Sequence, residues 1–157
     1  MADVLYCAPG HIFCRANKVM LAIDGSQGSA RAATVAFEVA EMTKSKLFII
    51  YVVPTSVVQQ FSLMSNSAFD EAIRKYEIKG QKLLDGTKVA AEEYNIEVEL
   101  ILDKGSPSER IIAQAQNLGI DLIVIGSEGL DGVSRTSVGS ITERVVNGAL
   151  GPVLVVK

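Results

Sequence analysis

From residue 18 onward the chain alternates short β-branched runs with longer stretches in which apolar residues recur at three- and four-residue spacing. This alternation predicts parallel βαβ construction. Strands are expected at residues 19–23, 47–53, 97–102, 122–125 and 153–156. Several are apolar at nearly every position, as strands covered by helices on both faces must be. The third alternates more, with Glu97 and Glu99 on one side, which fits a sheet edge. Between the strands, residues 30–42 carry Ala33, Phe37 and Ala40 at helical spacing, and residues 69–94 form a longer, charged amphipathic stretch. The next helix starts at Ser106, where a Ser cap, Pro107 and Glu109 stand in capping-box order, and stops at Gly119. A last helix fits residues 141–147, between Ser140 and Gly148. Residues 54–66 lack such a pattern. They follow a strand on the side where open α/β sheets bind ligands, and read either as a mobile lid or as a variable surface loop.

A length of 157 residues fits a single domain at residues 18–157, preceded by an N-terminal extension at residues 1–17. With 48% apolar residues the chain has the material for a core without disulfide staples. Fifteen Lys and Arg against 18 Asp and Glu leave a net charge of -3, which supplies no cationic field for nucleic acid or an anionic membrane. No apolar run approaches the roughly 20 residues of a bilayer span, and no signal-peptide pattern follows Met1. A cytoplasmic protein is expected, with Cys7 and Cys14 reduced.

Candidate chemistry lies in two loops. Gly126-Ser127-Glu128-Gly129 follows the fourth strand directly, and nine residues later Gly139-Ser140 precedes the last helix. Glycines at a strand-to-helix crossover permit positive φ and let backbone N–H groups approach an anion. Ser140 and Glu143 form a second capping-box pattern, so Ser140 is the expected N-cap, at the positive end of a helix dipole where phosphate sits readily. The stretch is neither a P-loop nor the dinucleotide fingerprint, and Gly-x-x-Gly alone also suits an ordinary surface turn. The first strand ends in Ile23-Asp24-Gly25-Ser26. Asp24 there can accept from a ribose hydroxyl or an adenine amine, or Asp24 or Ser26 can simply cap the following helix.

Together these residues resemble the universal stress protein family, whose nucleotide-binding members carry Gly-x-x-Gly, nine residues, then Gly and Ser or Thr. Gly126, Gly129, Gly139 and Ser140 meet that spacing, Asp24 stands at the matching end of the first strand, and the likeness continues through Gly105-Ser106-Pro107 to Pro152-Val153-Leu154-Val155-Val156. The resemblance implies an α/β fold with one open five-stranded parallel sheet, helices on both faces and strand order 3-2-1-4-5, the adenine nucleotide alpha hydrolase-like arrangement. It implies ATP, or AMP or ADP, bound at the strand ends. Ala22, Ile23, Asp24 and Ile125 would line the adenosine pocket, with Val52 meeting adenine through its backbone. Gly126, Glu128, Gly129, Gly139, Ser140, Ile141 and Thr142 would hold ribose and phosphates. In that strand order the apolar strand Val153–Val156 lies at an edge whose backbone groups can accept a second copy, so a homodimer is expected, the alternative being a monomer in which the arm Val4 to Phe13 folds over the edge.

Two features depart from the family. Glu128 stands where many ATP-binding members have His or Arg, and with Asp131 it faces Arg135 alone, so Mg²⁺ bridging between carboxylate and phosphates is expected. The extension carries Cys7, His11 and Cys14, an incomplete ligand set for zinc, and also Leu5, Tyr6, Ile12 and Phe13, which suit an arm packed on the domain. No resident metal site is assigned. No general base in the loops has a partner to assist it, so no catalytic residue is assigned either. The expected function is a stress-response regulatory module whose nucleotide-ordered loop is read by a protein partner. A slow Mg-dependent ATPase and a family member working through protein contacts alone are the alternatives.

Overall fold

The computed structural model describes residues 16–129 and 138–157. The cluster of Cys7, His11 and Cys14, the arm residues Leu5, Tyr6, Ile12 and Phe13, and the loop residues Asp131 and Arg135 lie outside that description.

Five parallel strands form one sheet: β1 (Lys18–Ala22), β2 (Lys46–Pro54), β3 (Val98–Gly105), β4 (Leu122–Gly126) and β5 (Val153–Val156), in the order β3-β2-β1-β4-β5. β1 is flanked by β2 and β4, so Val19 stands beside Leu47 on one side and Leu122 on the other. Side chains alternate across this sheet and build two cores. Val19, Leu21, Leu47 and Ile49 pack with α1 (Gln27–Thr43) and α3 (Phe69–Ala91), whereas Met20, Phe48, Ile50 and Ile123 pack with α4 (Pro107–Leu118) and α5 (Ser140–Gly148). α1 lies close to the sheet because its buried face is made of Gly28, Ser29, Ala32, Ala33, Ala36, Phe37 and Ala40, nearly all small. β3 and β5 are the two edges, as the mixed pattern of the first and the family order of the second lead one to expect.

Residues 54–66 correct the expectation of an irregular segment. Thr55–Ser65 is a helix, α2, closed by Asn66 in the left-handed conformation with its N–H on the Ser62 carbonyl. Only Val58 and Ser62 of this helix are buried, so it shows no wide apolar stripe, and it contains no charged residue to mark an outer face. Ser106 is the N-cap of α4, but its hydroxyl makes no cap hydrogen bond; Pro107 at the first turn and Gly119 at φ +65 define the helix ends.

β3 is tied to α4 by Asp103. Its Oδ2 accepts from Arg110 Nε at 2.9 Å, Arg110 Nη2 at 2.8 Å and Gln114 Nε2 at 2.8 Å, while Oδ1 accepts the Lys104 N–H at 2.8 Å. Burial works to raise the carboxyl pKa, but the donors from Gln114, Arg110 and Lys104 outweigh it and hold it below the ordinary value. A carboxyl lowered on folding contributes stability that is complete above its unfolded pKa of about 3.9 and is lost as pH falls from there through the folded value. Asp103→Asn should therefore flatten the acid limb of a urea-midpoint profile between about pH 2 and 5, and cost about 1 kcal/mol at pH 7, a figure reduced because Arg110 is partly solvated. Superimposable profiles for the two proteins would refute this.

Candidate functional site

β2 and β3 extend the sheet on one side of β1, and β4 and β5 extend it on the other. Chains leaving the C-terminal ends of β1 and β4 therefore part toward opposite faces and leave a crevice between them, the place where open α/β sheets take ligands. A cleft of about 460 Å³ opens there. Two loops converge on it. After β1, Gly25 turns at φ +86 and Asp24 Oδ1 accepts the Ser26 N–H at 2.8 Å. Ser26 then caps α1, its Oγ accepting the Ser29 N–H at 3.1 Å. Capping is thus the work of Ser26, and Asp24 spends one oxygen on the turn. Its Oδ2 faces Gly129, where a Cβ would come within 3.2 Å.

The glycines after β4 act differently from what their spacing predicts. Among the described glycines, φ is positive only at Gly25, Gly105 and Gly119, so Gly126, Gly129 and Gly139 are not required for left-handed backbone. What Gly126 permits is contact between main chains. A Cβ there would stand 2.6 Å from the Gly28 carbonyl carbon and 2.7 Å from its oxygen, and a Cβ on Gly28 would collide with the Glu128 carbonyl. The first turn of α1 is thereby pressed against the end of β4. Gly28 is missing from the sequence-based site, because a lone glycine early in a helix reads as a weak helix former.

The second capping-box expectation is also corrected. Gly139, not Ser140, is the N-cap of α5; it is extended at φ −60 and ψ 153, and no side chain caps the helix. The Gly139 N–H donates to the Ser127 carbonyl at 2.7 Å, which fixes the chain one residue earlier than Ser140. The first intrahelical bond runs from the Glu143 N–H to the Gly139 carbonyl, so the N–H groups of Ser140, Ile141 and Thr142 have no partner within the helix. The Thr142 hydroxyl is buried and donates to the Gly126 carbonyl at 2.7 Å, pinning α5 to the end of β4.

All twelve residues singled out from sequence, Ala22, Ile23, Asp24, Val52, Ile125, Gly126, Glu128, Gly129, Gly139, Ser140, Ile141 and Thr142, line this one cleft. So do residues that the sequence reading missed: Tyr51 on β2, Val57 on α2, Tyr76 and Lys79 on α3, and Pro107 and Ile111 on α4. Tyr51 reads in sequence as one more apolar strand position, and nothing short of the sheet register shows that it ends at the cleft. Glu128 has a counter-charge on α1 that the sequence reading did not name: Arg31 Nη2 lies 4.0 Å from its Oε2. The pair is partly exposed and worth little to stability, but it reduces the negative field at the loop. Among the described residues no group of three or more His, Cys, Asp or Glu is arranged to hold a metal ion, and no helix is long and apolar enough to cross a membrane.

The fold is shared with known proteins. Residues 16–157 match the universal stress protein family. Universal stress protein YxiE of Bacillus subtilis is 33% identical over 146 residues, which cover 90% of this chain and 99% of that protein. Of the solved structures, universal stress protein UspA from Lactobacillus plantarum superposes with a TM-score of 0.79 at 23% identity, covering 91% of this chain and 99% of its own. The universal stress protein from Archaeoglobus fulgidus in complex with dAMP gives a TM-score of 0.66 at 22% identity, covering 90% of this chain and 98% of its own. The chain belongs to the universal stress protein family.

Proposed function

We propose that this protein is an adenine-nucleotide-binding regulatory module of the cytoplasm, taking ATP, or AMP or ADP, in the cleft at the ends of β1 and β4. The observation that carries this reading is the placement of Asp24 and of the three N–H groups that open α5, which have no partner within the helix, on one cleft of about 460 Å³. That volume is within the range of roughly 300 to 1,000 Å³ typical of small-molecule sites. The apolar walls from Ile23, Val52 and Ile125 suit a base, the Asp24 carboxylate accepts from an amine or a ribose hydroxyl, and the N-terminus of α5 suits phosphate. The dAMP complex of the Archaeoglobus fulgidus protein supports an adenine nucleotide over other ligands of that size.

Mg²⁺ would supply charge neutralisation at the phosphates. Glu128 would hold it, although the nearby Arg31 already offsets part of that carboxylate. Calorimetry with ATP in Mg²⁺ and in EDTA tests both statements: binding should be clear with Mg²⁺ and weaker with EDTA. No binding of ATP, ADP or AMP under either condition refutes the nucleotide reading and leaves a family member acting through protein contacts alone. Turnover should stay well below the usual enzyme range of about 1 s⁻¹, since among the described residues that line the cleft no carboxylate is paired with a group that would assist it as a general base.

We further propose a homodimer in which β5 edges pair antiparallel about a twofold axis. β5 is bonded to β4 on one side and all four of its residues are partly exposed. Light scattering should give twice the chain mass; a monomer, both in the full chain and in a chain shortened to begin at Asn17, would overturn this.

A further inference from the structure

The cleft extends to a part of the sheet that the family motif does not reach. Successive residues of β2 face opposite ways, so Ile50 and Val52 join the core under α4 and α5 while Tyr51 turns under α3. Its ring is held there by Gly80, where a Cβ would strike the ring carbons. Tyr51 is only 4% exposed, yet its hydroxyl makes no hydrogen bond with the described residues. No buried side-chain oxygen or nitrogen among them is sealed off without a partner, and Tyr51 lines the cleft, so its hydroxyl reaches the cleft interior. Burial first, then the neighbouring Tyr76 and Asp24 charges, raises its pKa, which keeps the hydroxyl a neutral donor at physiological pH. A nearly buried donor without a protein acceptor costs free energy unless a ligand or water accepts from it.

We propose that Tyr51 selects adenine: its O–H donates to a ring nitrogen beside the exocyclic amine, N1 or N7, while Asp24 accepts from that amine. This inference rests on the nucleotide reading above and deepens it. The carboxylate of Asp24 offers only acceptors, and the neutral phenol of Tyr51, which lines the same cleft, offers a donor. Adenine presents the complementary pair, an amine donor next to a ring-nitrogen acceptor. Guanine presents its O6 acceptor where adenine has the amine, so it would set oxygen against the Asp24 carboxylate. Gly80 and the packing of α3 fix the ring in advance, so little rotamer freedom remains to be lost on binding.

The test is calorimetric titration of the full chain and of Tyr51→Phe, which keeps the ring and removes the oxygen, with ATP, GTP, 1-deaza-ATP and 7-deaza-ATP. The unchanged protein should prefer ATP to GTP and bind one of the two deaza analogues about tenfold more weakly than ATP, the size of one neutral hydrogen bond. Tyr51→Phe should bind ATP about tenfold more weakly and no longer distinguish that analogue from ATP. Uniform weakening toward all four nucleotides, or wild-type affinity for ATP in the variant, would overturn the inference while leaving the nucleotide site standing. If the variant does not fold, equal binding of ATP and both deaza analogues by the unchanged protein overturns it by itself. Failure of every nucleotide to bind the unchanged protein removes the underlying reading as well.

Discussion

Gly126→Ala should unfold at a markedly lower urea concentration than the unchanged protein, with a loss of about 3 kcal/mol. The added methyl would stand 2.6 Å from the Gly28 carbonyl carbon, 2.7 Å from its oxygen and 3.1 Å from the Ser29 nitrogen. Each of these atoms is main chain in the first turn of α1, so no side chain can rotate aside. Relief requires α1 to lift from β4, and α1 covers the central strands through a face of alanines and Phe37 that is buried along its whole length. Overpacking against flexible side chains costs about 1 to 3 kcal/mol, and two rigid backbones place this case at the upper end. Gly86→Ala is the control of opposite sign. Gly86 lies within α3 with nothing within 4 Å of a built Cβ, so alanine there should stabilise by about 0.5 to 1 kcal/mol through helix propensity. A Gly126→Ala protein as stable as the unchanged one would show that the helix and strand are not in the contact described.

Gly139→Val should remain folded and lose nucleotide by about a hundredfold or more. The position tolerates a side chain on its own account: it is extended at φ −60 and ψ 153, and among the described residues a Cβ would meet the Ser127 oxygen at 3.4 Å and the Gly129 nitrogen at 3.7 Å, ordinary contacts. Valine is a poorer N-cap than glycine, a cost of about 1 kcal/mol that the domain should survive. The effect on ligand is separate. A valine side chain would start beside the Ser127 oxygen and the Gly129 nitrogen, on the wall of the cleft that Ser140 and Ile141 also line, and would take room that phosphate needs to reach the first N–H groups of α5. A hundredfold loss corresponds to about 2.7 kcal/mol of binding free energy. Wild-type affinity in a folded Gly139→Val protein would reduce the glycine spacing to turn chemistry.

The elements that sequence alone determined are those whose signal is local. The inner strands β1, β2 and β4 are apolar runs because both of their faces are covered, the edge strand β3 shows itself by its mixed pattern, and four of the five helices announce themselves by spacing or by a stop such as Gly119. The order of Gly126, Gly129, Gly139 and Ser140 along the chain points to the family, and with it to the strand order that the sheet adopts. Other features depend on partners distant in sequence, which no window along the chain contains. α2 is a helix without a helical pattern because it buries little beyond Val58 and Ser62. The N-cap of α5 falls at Gly139 because Ser127, across the loop, takes its N–H. Glycine is needed at positions 28 and 126 because two main chains cross there, and neither has a turn or a positive φ to reveal the need. Arg31 reaches Glu128 and Tyr51 reaches the cleft only once α1, β2 and α3 are laid on the sheet. Local propensity and periodicity select elements; close approach, hydrogen-bond partners and the walls of a cleft are decided by packing, which exists only in three dimensions.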